Sequence, residues 1–162
     1  MLINQGTAGL DKCGQIVQLP EYSGMAVTAY TASARADGQP IYLVYGYTAG
    51  QEVVATTAAT ATYVQIAFAV GAVAAGKIGL FLVSGKNFPG LVSDVGTMAV
   101  GRCLEVINAG TSLIDMGSST VAPITTHAIL EEAVTADEND GSPVLKNIMV
   151  PPNFPYKTIA GS

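Results

Sequence analysis

Short runs in which apolar and polar residues alternate, or in which aromatic and β-branched residues predominate, are separated along the chain by clusters of turn-forming residues. The clearest runs, all rich in β-branched, aromatic or small side chains, are residues 14–19, 25–30, 41–45 and 144–150. Between them, residues 20–24 and 37–40 combine Pro, Gly, Asp and Ser, which is typical of turns. The pattern predicts an all-β chain that folds as a small β-barrel or β-sandwich.

Three segments repeat one arrangement, in which an Ala-Gly pair lies between two apolar runs. Their glycines are Gly50, Gly76 and Gly110, and the last two segments align without a gap. Because glycine readily adopts the positive φ that hairpin loops need, each segment predicts a strand, a turn and a second strand. The alternative is a chance match, since Ala and Gly are abundant in this chain.

The apolar stretch at residues 63–83 is long enough to span a bilayer. Ala75-Gly76-Lys77, however, has the composition of a turn between two β-type runs. The charge of Lys77 would also lie well inside the apolar span, where it is costly. Two buried strands joined by a turn are therefore expected, with no membrane partner.

Three other segments are less clear in the pattern. Residues 127–134 predict a strand, although their Ala, Leu and Glu content also favours helix, and the strand register would bury Glu132. Residues 91–97 have the composition of a connecting loop, and residues 55–61 that of a loop or a weakly packed strand.

Length, composition and charge limit the class of protein to which this chain can belong. The chain has 162 residues with 49% hydrophobic and 12% charged side chains, which predicts one folded domain and excludes disorder. Its seven basic residues are scattered and the net charge is -5, so no nucleic-acid partner is expected. Residues 1–6 lack a basic region followed by an apolar run, so we expect no secretory signal, and we interpret Cys13 and Cys103 as reduced, buried cysteines.

Residue types that carry catalysis are sparse. His127 is the single histidine, and no nucleophile elbow surrounds the nearby Ser118 and Ser119. Zinc would have only Cys13, Cys103 and His127 as soft ligands. Five acids cluster near a predicted hairpin tip, but their spacing does not fit a calcium loop, and we interpret them as solvated: Glu131, Glu132, Asp137, Glu138 and Asp140. We expect no enzyme, no cofactor and no metal site.

Part of the chain resembles the small β-rich decoration, or cement, proteins of tailed bacteriophage capsids. The resemblance lies within residues 65–116, about a third of the chain. It is carried by residues 76–83 (GKIGLFLV), residues 96–105 (GTMAVGRCLE), Asn108-Ala109-Gly110 and Leu113-Ile114-Asp115. In that family a Gly-x-Ala-Leu-Glu-like strand leads through an Ala-Gly turn into the last barrel strand. This sequence departs from that pattern at Arg102-Cys103 and in continuing well past Asp115.

The resemblance implies a structural protein that trimerises on the outer face of the capsid and clamps the major capsid protein. The expected location is then the virion surface, after synthesis in the cytoplasm of the bacterial host. Residues 1–12 and 151–162 are interpreted as extended arms around a β-domain at residues 13–150, because Gly or Pro interrupts their regular structure. Their apolar residues are the candidate capsid contacts: Leu2, Ile3, Leu10, Phe154, Tyr156 and Ile159.

Two rival functions remain open from the sequence. A carbohydrate-binding or head-fibre-like module would need an aromatic site, which tyrosines could provide: Tyr22, Tyr30, Tyr42, Tyr45, Tyr47 and Tyr63. Packing in the core and sheet is the simpler interpretation of these residues. The other rival is a small hydrolase that depends on His127.

Overall fold

The computed structural model describes residues 12–46, 48–57, 63–93, 96–106, 110–115, 126–138, 142–151 and 157–158. These residues form an all-β fold, as the alternation predicts. Its strands are β1 (Ile16–Leu19), β2 (Gly24–Thr31), β3 (Pro40–Tyr45), β4 (Val53–Thr56), β5 (Tyr63–Ala69), β6 (Lys77–Val92), β7 (Cys103–Glu105), β8 (Ile114–Asp115), β9 (Ala128–Leu130), β10 (Val144–Val150) and β11 (Lys157–Thr158). Short 3-10 turns lie at Pro20–Tyr22 and Ala136–Glu138.

Five strands close into a barrel in the order β2, β4, β3, β5, β6 and back to β2. The pairs are antiparallel except β2 with β4, which meet in parallel at a single residue pair, Tyr30 and Val54. β1 extends the sheet outside the barrel by pairing with the first half of β2. The expected barrel is therefore present.

Small side chains fill the barrel. Its buried residues include Ala29, Ala55, Ala67 and Ala69, with Phe81 as the largest ring. A barrel of few strands has a narrow interior, so it accepts small residues where a wider core would need Leu or Phe. These four alanines thus have a packing reason.

A buried arginine, in the connection between β2 and β3, contacts two strands of the barrel. Arg35 is 9% exposed, and its guanidinium donates to the Thr31 hydroxyl (2.9 Å) and to the Ala55 carbonyl (3.1 Å). Its backbone forms an isolated bridge with Val73. Burial lowers the pKa of Arg35, since the charged form loses solvation there. The hydrogen-bond acceptors of this guanidinium are thus a neutral hydroxyl and a neutral carbonyl oxygen.

β6 belongs to two sheets. Its first half pairs with β2 and β5 in the barrel, and its second half pairs with β10. β6 bends where its pairing partner changes, because the strand is irregular there. Gly85 and Asn87 have φ of 156° and 51°, and the register with β10 shifts, as in a β-bulge. The second sheet continues from β10 through β9 and β7 to β8.

The larger core lies between the barrel and the second sheet. It joins Phe68 and Leu82 of the barrel to Phe88, Leu104 and Ile148, and these five side chains are at most 1% exposed. Even-numbered residues of β6 near Leu82 enter this core, while Phe81 and Val83 enter the barrel. β6 is therefore buried on both faces.

The predicted turn in the long apolar stretch is confirmed. β5 and β6 are antiparallel strands, and residues 70–76 connect them. Gly50 and Gly76 have φ of 77° and 70°, as expected for the turns they occupy. Within the described ranges, no helix has the length and apolar character needed to cross a membrane.

Two segment predictions need correction. The strand predicted at residues 127–134 forms only over Ala128–Leu130, and the chain then bends so that Glu132 is 49% exposed instead of buried. The loop predicted at residues 91–97 begins later, because β6 continues to Val92 through its ladder with β10. In both places a neighbouring strand decides where regular structure ends.

Candidate functional site

His127 is a buried residue with a defined structural contact. It is 3% exposed, and its Nδ1 accepts a hydrogen bond from the backbone N–H of Val106 at 2.8 Å. An acceptor Nδ1 carries no proton, so the neutral ring is protonated at Nε2. Its own backbone N–H donates to the Leu104 carbonyl. Ser118 and Ser119, the candidate nucleophiles, lie outside the described residues.

The acidic cluster serves contacts within the fold. Glu132 and Glu138 both accept from the ammonium of Lys146, at 3.3 and 2.5 Å. Glu131 instead accepts from the backbone N–H of Asn87 at the bend of β6. Among the described residues, no three His, Cys, Asp or Glu side chains come together as metal ligands. Asp140 lies outside those residues, and Asp137 is exposed.

The ion pairs around Lys146 change the pKa values of the groups they join. The hydrogen bond from Lys146, followed by one from the Thr135 backbone, lowers the pKa of Glu138 to about 2. The hydrogen bond to Glu138 raises the pKa of Lys146. Each partner stabilises the charged form of the other. Lys146, whose side chain is 6% exposed, therefore lies buried on β10 with its charge paired.

Both cysteines are free, as predicted. The expectation that they are buried is wrong, because each is half-buried. Cys13 donates from Sγ to the carbonyl of Gly50 at 3.4 Å.

The tyrosines are divided between the core and the surface. Tyr42 is 3% exposed and its hydroxyl donates to the Val106 carbonyl. Tyr22 packs edge-on against Phe88 with ring centroids 5.1 Å apart. Tyr30 is half-buried, and Tyr45 is exposed. The side chains of Tyr47 and Tyr63 lie outside the described set.

The predicted arm contacts lie outside the described residues, and they are Leu2, Ile3, Leu10, Phe154, Tyr156 and Ile159. Three residues of the predicted tail are described, namely Pro151, Lys157 and Thr158. Lys157 and Thr158 pair as β11 with Val64 and Tyr63, at the start of β5. At Lys12, where the other arm meets the domain, the backbone carbonyl accepts from the buried hydroxyl of Thr28.

The segments that carry the resemblance form neighbouring parts of the fold. Residues 76–83 lie mainly in the barrel half of β6, and residues 96–105 lead into β7. β7 and β8 form an antiparallel pair, and Arg102 donates to Asp115 through Nε (3.1 Å) and a terminal nitrogen (2.5 Å). β8 lies at the edge of the second sheet, outside the barrel. In the chain it is followed by two more strands of that sheet, β9 and β10.

A surface that the sequence analysis did not single out lies beside β1. Ile16 is 70% exposed and Met25 is 39% exposed. Met25 lines a shallow cavity of about 330 Å³, and a second cavity of about 230 Å³ adjoins it, since both are lined by Ser23 and Ser84. The residues that line the two cavities are Gln18, Pro20, Ser23, Gly24, Met25, Ser84, Gly85, Lys86, Met149 and Val150. The available signal was Ile16-Val17-Gln18-Leu19, which is apolar on both faces of a strand.

Neither a family model nor a curated protein matches the sequence of this chain.

Proposed function

We propose that this chain is a structural virion protein that binds the outer surface of a tailed-phage capsid shell and stabilises it. The observation that carries the proposal is the resemblance of residues 76–83, 96–105, 108–110 and 113–115 to capsid decoration proteins. The strand content supports it, because these segments contain the first half of β6 and the β7–β8 pair of an all-β fold. The proposed partner is the major capsid protein, and the proposed assembly is a homotrimer.

The arms supply the proposed contacts with the shell. Leu2, Ile3 and Leu10 precede the domain, and Phe154, Tyr156 and Ile159 follow it. Apolar segments of this kind add contact area when they order on a partner, at a backbone entropy cost of about 1–2 kcal/mol per residue. In the proposal, binding to the shell offsets that cost.

The experiment uses purified empty shells assembled from a tailed-phage major capsid protein. The full chain should co-sediment with the shells and raise their melting temperature. A variant without residues 1–11 keeps the Lys12 carbonyl that Thr28 contacts. We expect this variant to lose retention on shells, while its own melting temperature changes little.

A second variant, without residues 152–162, also loses the two-residue ladder between β11 and β5. It should lose retention and melt at a slightly lower temperature. The proposal fails if the full chain does not bind shells. The assignment of the arms fails if both truncated proteins are retained as well as the full chain.

A further inference from the structure

The outer edge of β1 is open. Within the described residues, β1 pairs with β2 alone. The Gln15 carbonyl accepts from the Thr28 N–H at 3.0 Å, so the backbone groups of Gln15 face β2. Because these groups alternate along an antiparallel strand, those of Val17 and Leu19 also face β2. The N–H and C=O groups of Ile16 and Gln18 therefore point outward.

β1 is only four residues long, which limits pairing at its edge, but it lacks the other features that block such pairing. Strands at the edge of a sheet usually carry a charge, a proline or a bulge that prevents pairing with another chain. Ile16-Val17-Gln18-Leu19 contains no charge and no proline, and it pairs with β2 in unbroken register. The edge is thus a template for a further strand.

We propose that β1 pairs antiparallel with β1 of a second copy of this chain, about a two-fold axis at Val17. In this register Ile16 lies opposite Gln18 of the partner subunit, and both have outward-facing backbone groups. Residues of this kind exchange two hydrogen bonds in an antiparallel ladder. The arrangement is self-complementary, as a two-fold interface requires.

The side chains fit the same register. Ile16, Gln18 and Met25 lie on one face of the sheet, since Gln18 pairs with Met25 and Ile16 is two residues away. The partner's Ile16 would lie over Gln18, beside the cavity of about 330 Å³ that Gln18 and Met25 line. Dimerisation would thereby cover the most exposed large apolar side chain of the described residues, at 70% exposure, in both copies.

The charges at the two ends of β1 favour the antiparallel orientation. Lys12 precedes the strand and Glu21 follows it, and neither forms an ion pair in the described part of the chain. A two-fold axis at Val17 brings each Lys12 toward Glu21 of the partner subunit. A parallel pairing would bring like charges together instead, so the charges select between the two orientations.

The contact is small, and we expect a weak, concentration-dependent dimer. A two-fold contact uses the same patch on both copies, so it cannot by itself form a trimer. It would join two single copies or two larger oligomers. The inference does not rest on the proposed capsid function, and its test needs no capsid.

The first test compares the mass of the wild type and of Ile16→Lys by analytical ultracentrifugation over a range of concentrations. Val100→Lys is the matched control, because Val100 is 62% exposed and lies in a turn between β6 and β7. Ile16→Lys should raise the dissociation constant about tenfold or more, as expected for a residue at the centre of an interface. Val100→Lys should leave the constant unchanged.

Two further sets of variants, a proline substitution and a pair of charge reversals, keep the inference falsifiable if Ile16→Lys is poorly folded. Gln18→Pro removes one outward N–H without removing a bond to β2, and it should also weaken the dimer. Lys12→Glu and Glu21→Lys should each weaken it, and the double variant should restore it. A thermal melt of each protein verifies that it is folded.

The inference is overturned if the wild type stays monomeric at all concentrations, or if it self-associates equally well with Ile16→Lys and Gln18→Pro. It is also overturned if the wild type is monomeric and dimerises only after removal of residues 1–11. That result would identify those residues as the occupant of the edge. Additive effects of the two charge reversals, without restoration, would exclude the antiparallel register.

Discussion

At the scale of single residues, Lys146 has the most distinctive environment. A lysine on a strand is usually exposed at its charged end, yet here it is 6% exposed and two glutamates hold it. Both glutamates come from residues 131–138, so the ion pairs attach that segment to β10. This arrangement makes the stability of the segment depend on pH.

The first prediction is a loss of stability in acid. The pKa of Glu138 is about 2 in the fold and 4.5 in its ordinary state. Between these values the unfolded chain binds more protons, so the free energy of unfolding falls as the pH decreases from about 4.5 toward 2. The pKa of Lys146 is raised in the fold, so this group affects stability at the other end of the pH range. The free energy of unfolding that it contributes is lost as the pH rises above 10.5.

The measurement is urea denaturation across pH for the wild type and Glu138→Gln. The variant should be less stable at neutral pH and lose less stability in acid. Asp137→Asn is the control, because Asp137 is exposed in the same turn and forms no hydrogen bond or ion pair among the described residues. If the stability of Glu138→Gln falls in acid as steeply as that of the wild type, Glu138 is not the group responsible for the loss of stability.

The second prediction concerns His127. His127→Ala removes the acceptor of the buried Val106 N–H, which costs about 1–3 kcal/mol, in addition to the cavity it leaves. His127→Asn should retain part of that stability, since its side-chain oxygen can accept the same bond. Chemical denaturation measures both variants. Shell binding per folded molecule should be unchanged, and its loss in a fully folded variant would restore a functional role for His127.

At the scale of elements, β6 organises the fold because it is a strand of both sheets. Its barrel half contains Gly79, whose missing side chain makes room for Val73. A Cβ at Gly79 would lie 2.5 and 2.7 Å from the two methyl groups of Val73. Val73 cannot avoid both contacts by rotating, and it is 1% exposed.

The third prediction is that Gly79→Ala destabilises the protein by about 1–3 kcal/mol through overpacking of the barrel. Gly46→Ala is the matched control, because no atom lies within 4 Å of a Cβ at that position. Thermal melting compares the two. Equal melting temperatures would show that the barrel accommodates the added methyl group by a shift of the strands.

At the scale of the whole molecule, one continuous core joins the barrel to the second sheet. Phe88 lies at the junction, with its ring 5.1 Å from that of Tyr22 and 6.3 Å from that of Phe68. Because the two sheets share β6 and this core, we expect them to unfold together.

The fourth prediction follows from this shared core. Phe88→Ala should lower the free energy of unfolding by about 3–5 kcal/mol and leave one cooperative transition. Leu145→Ala, at a position 45% exposed on β10, should have a much smaller effect. Circular dichroism and tyrosine fluorescence provide two probes. Separate transitions by the two probes would show that the sheets unfold independently.

The sequence by itself determined the fold class and most strand positions. Residues 144–150 form β10 as predicted, and the Ala-Gly turns at Gly50 and Gly76 have the expected positive φ. These features depend on local preferences of the backbone and of neighbouring side chains, which a sequence displays directly.

Only the tertiary structure decided how the strands meet. Residues 84–90 (SGKNFPG) have the composition of a turn, yet they continue β6 because β10 pairs with them. Ile16 and Ile148 both lie in predicted strands, but Ile16 is 70% exposed and Ile148 is fully buried. The reason is that exposure depends on which strands lie beside a residue, and those neighbours are distant in the chain. The open edge of β1 and the pairing of Lys146 follow from the same non-local arrangement.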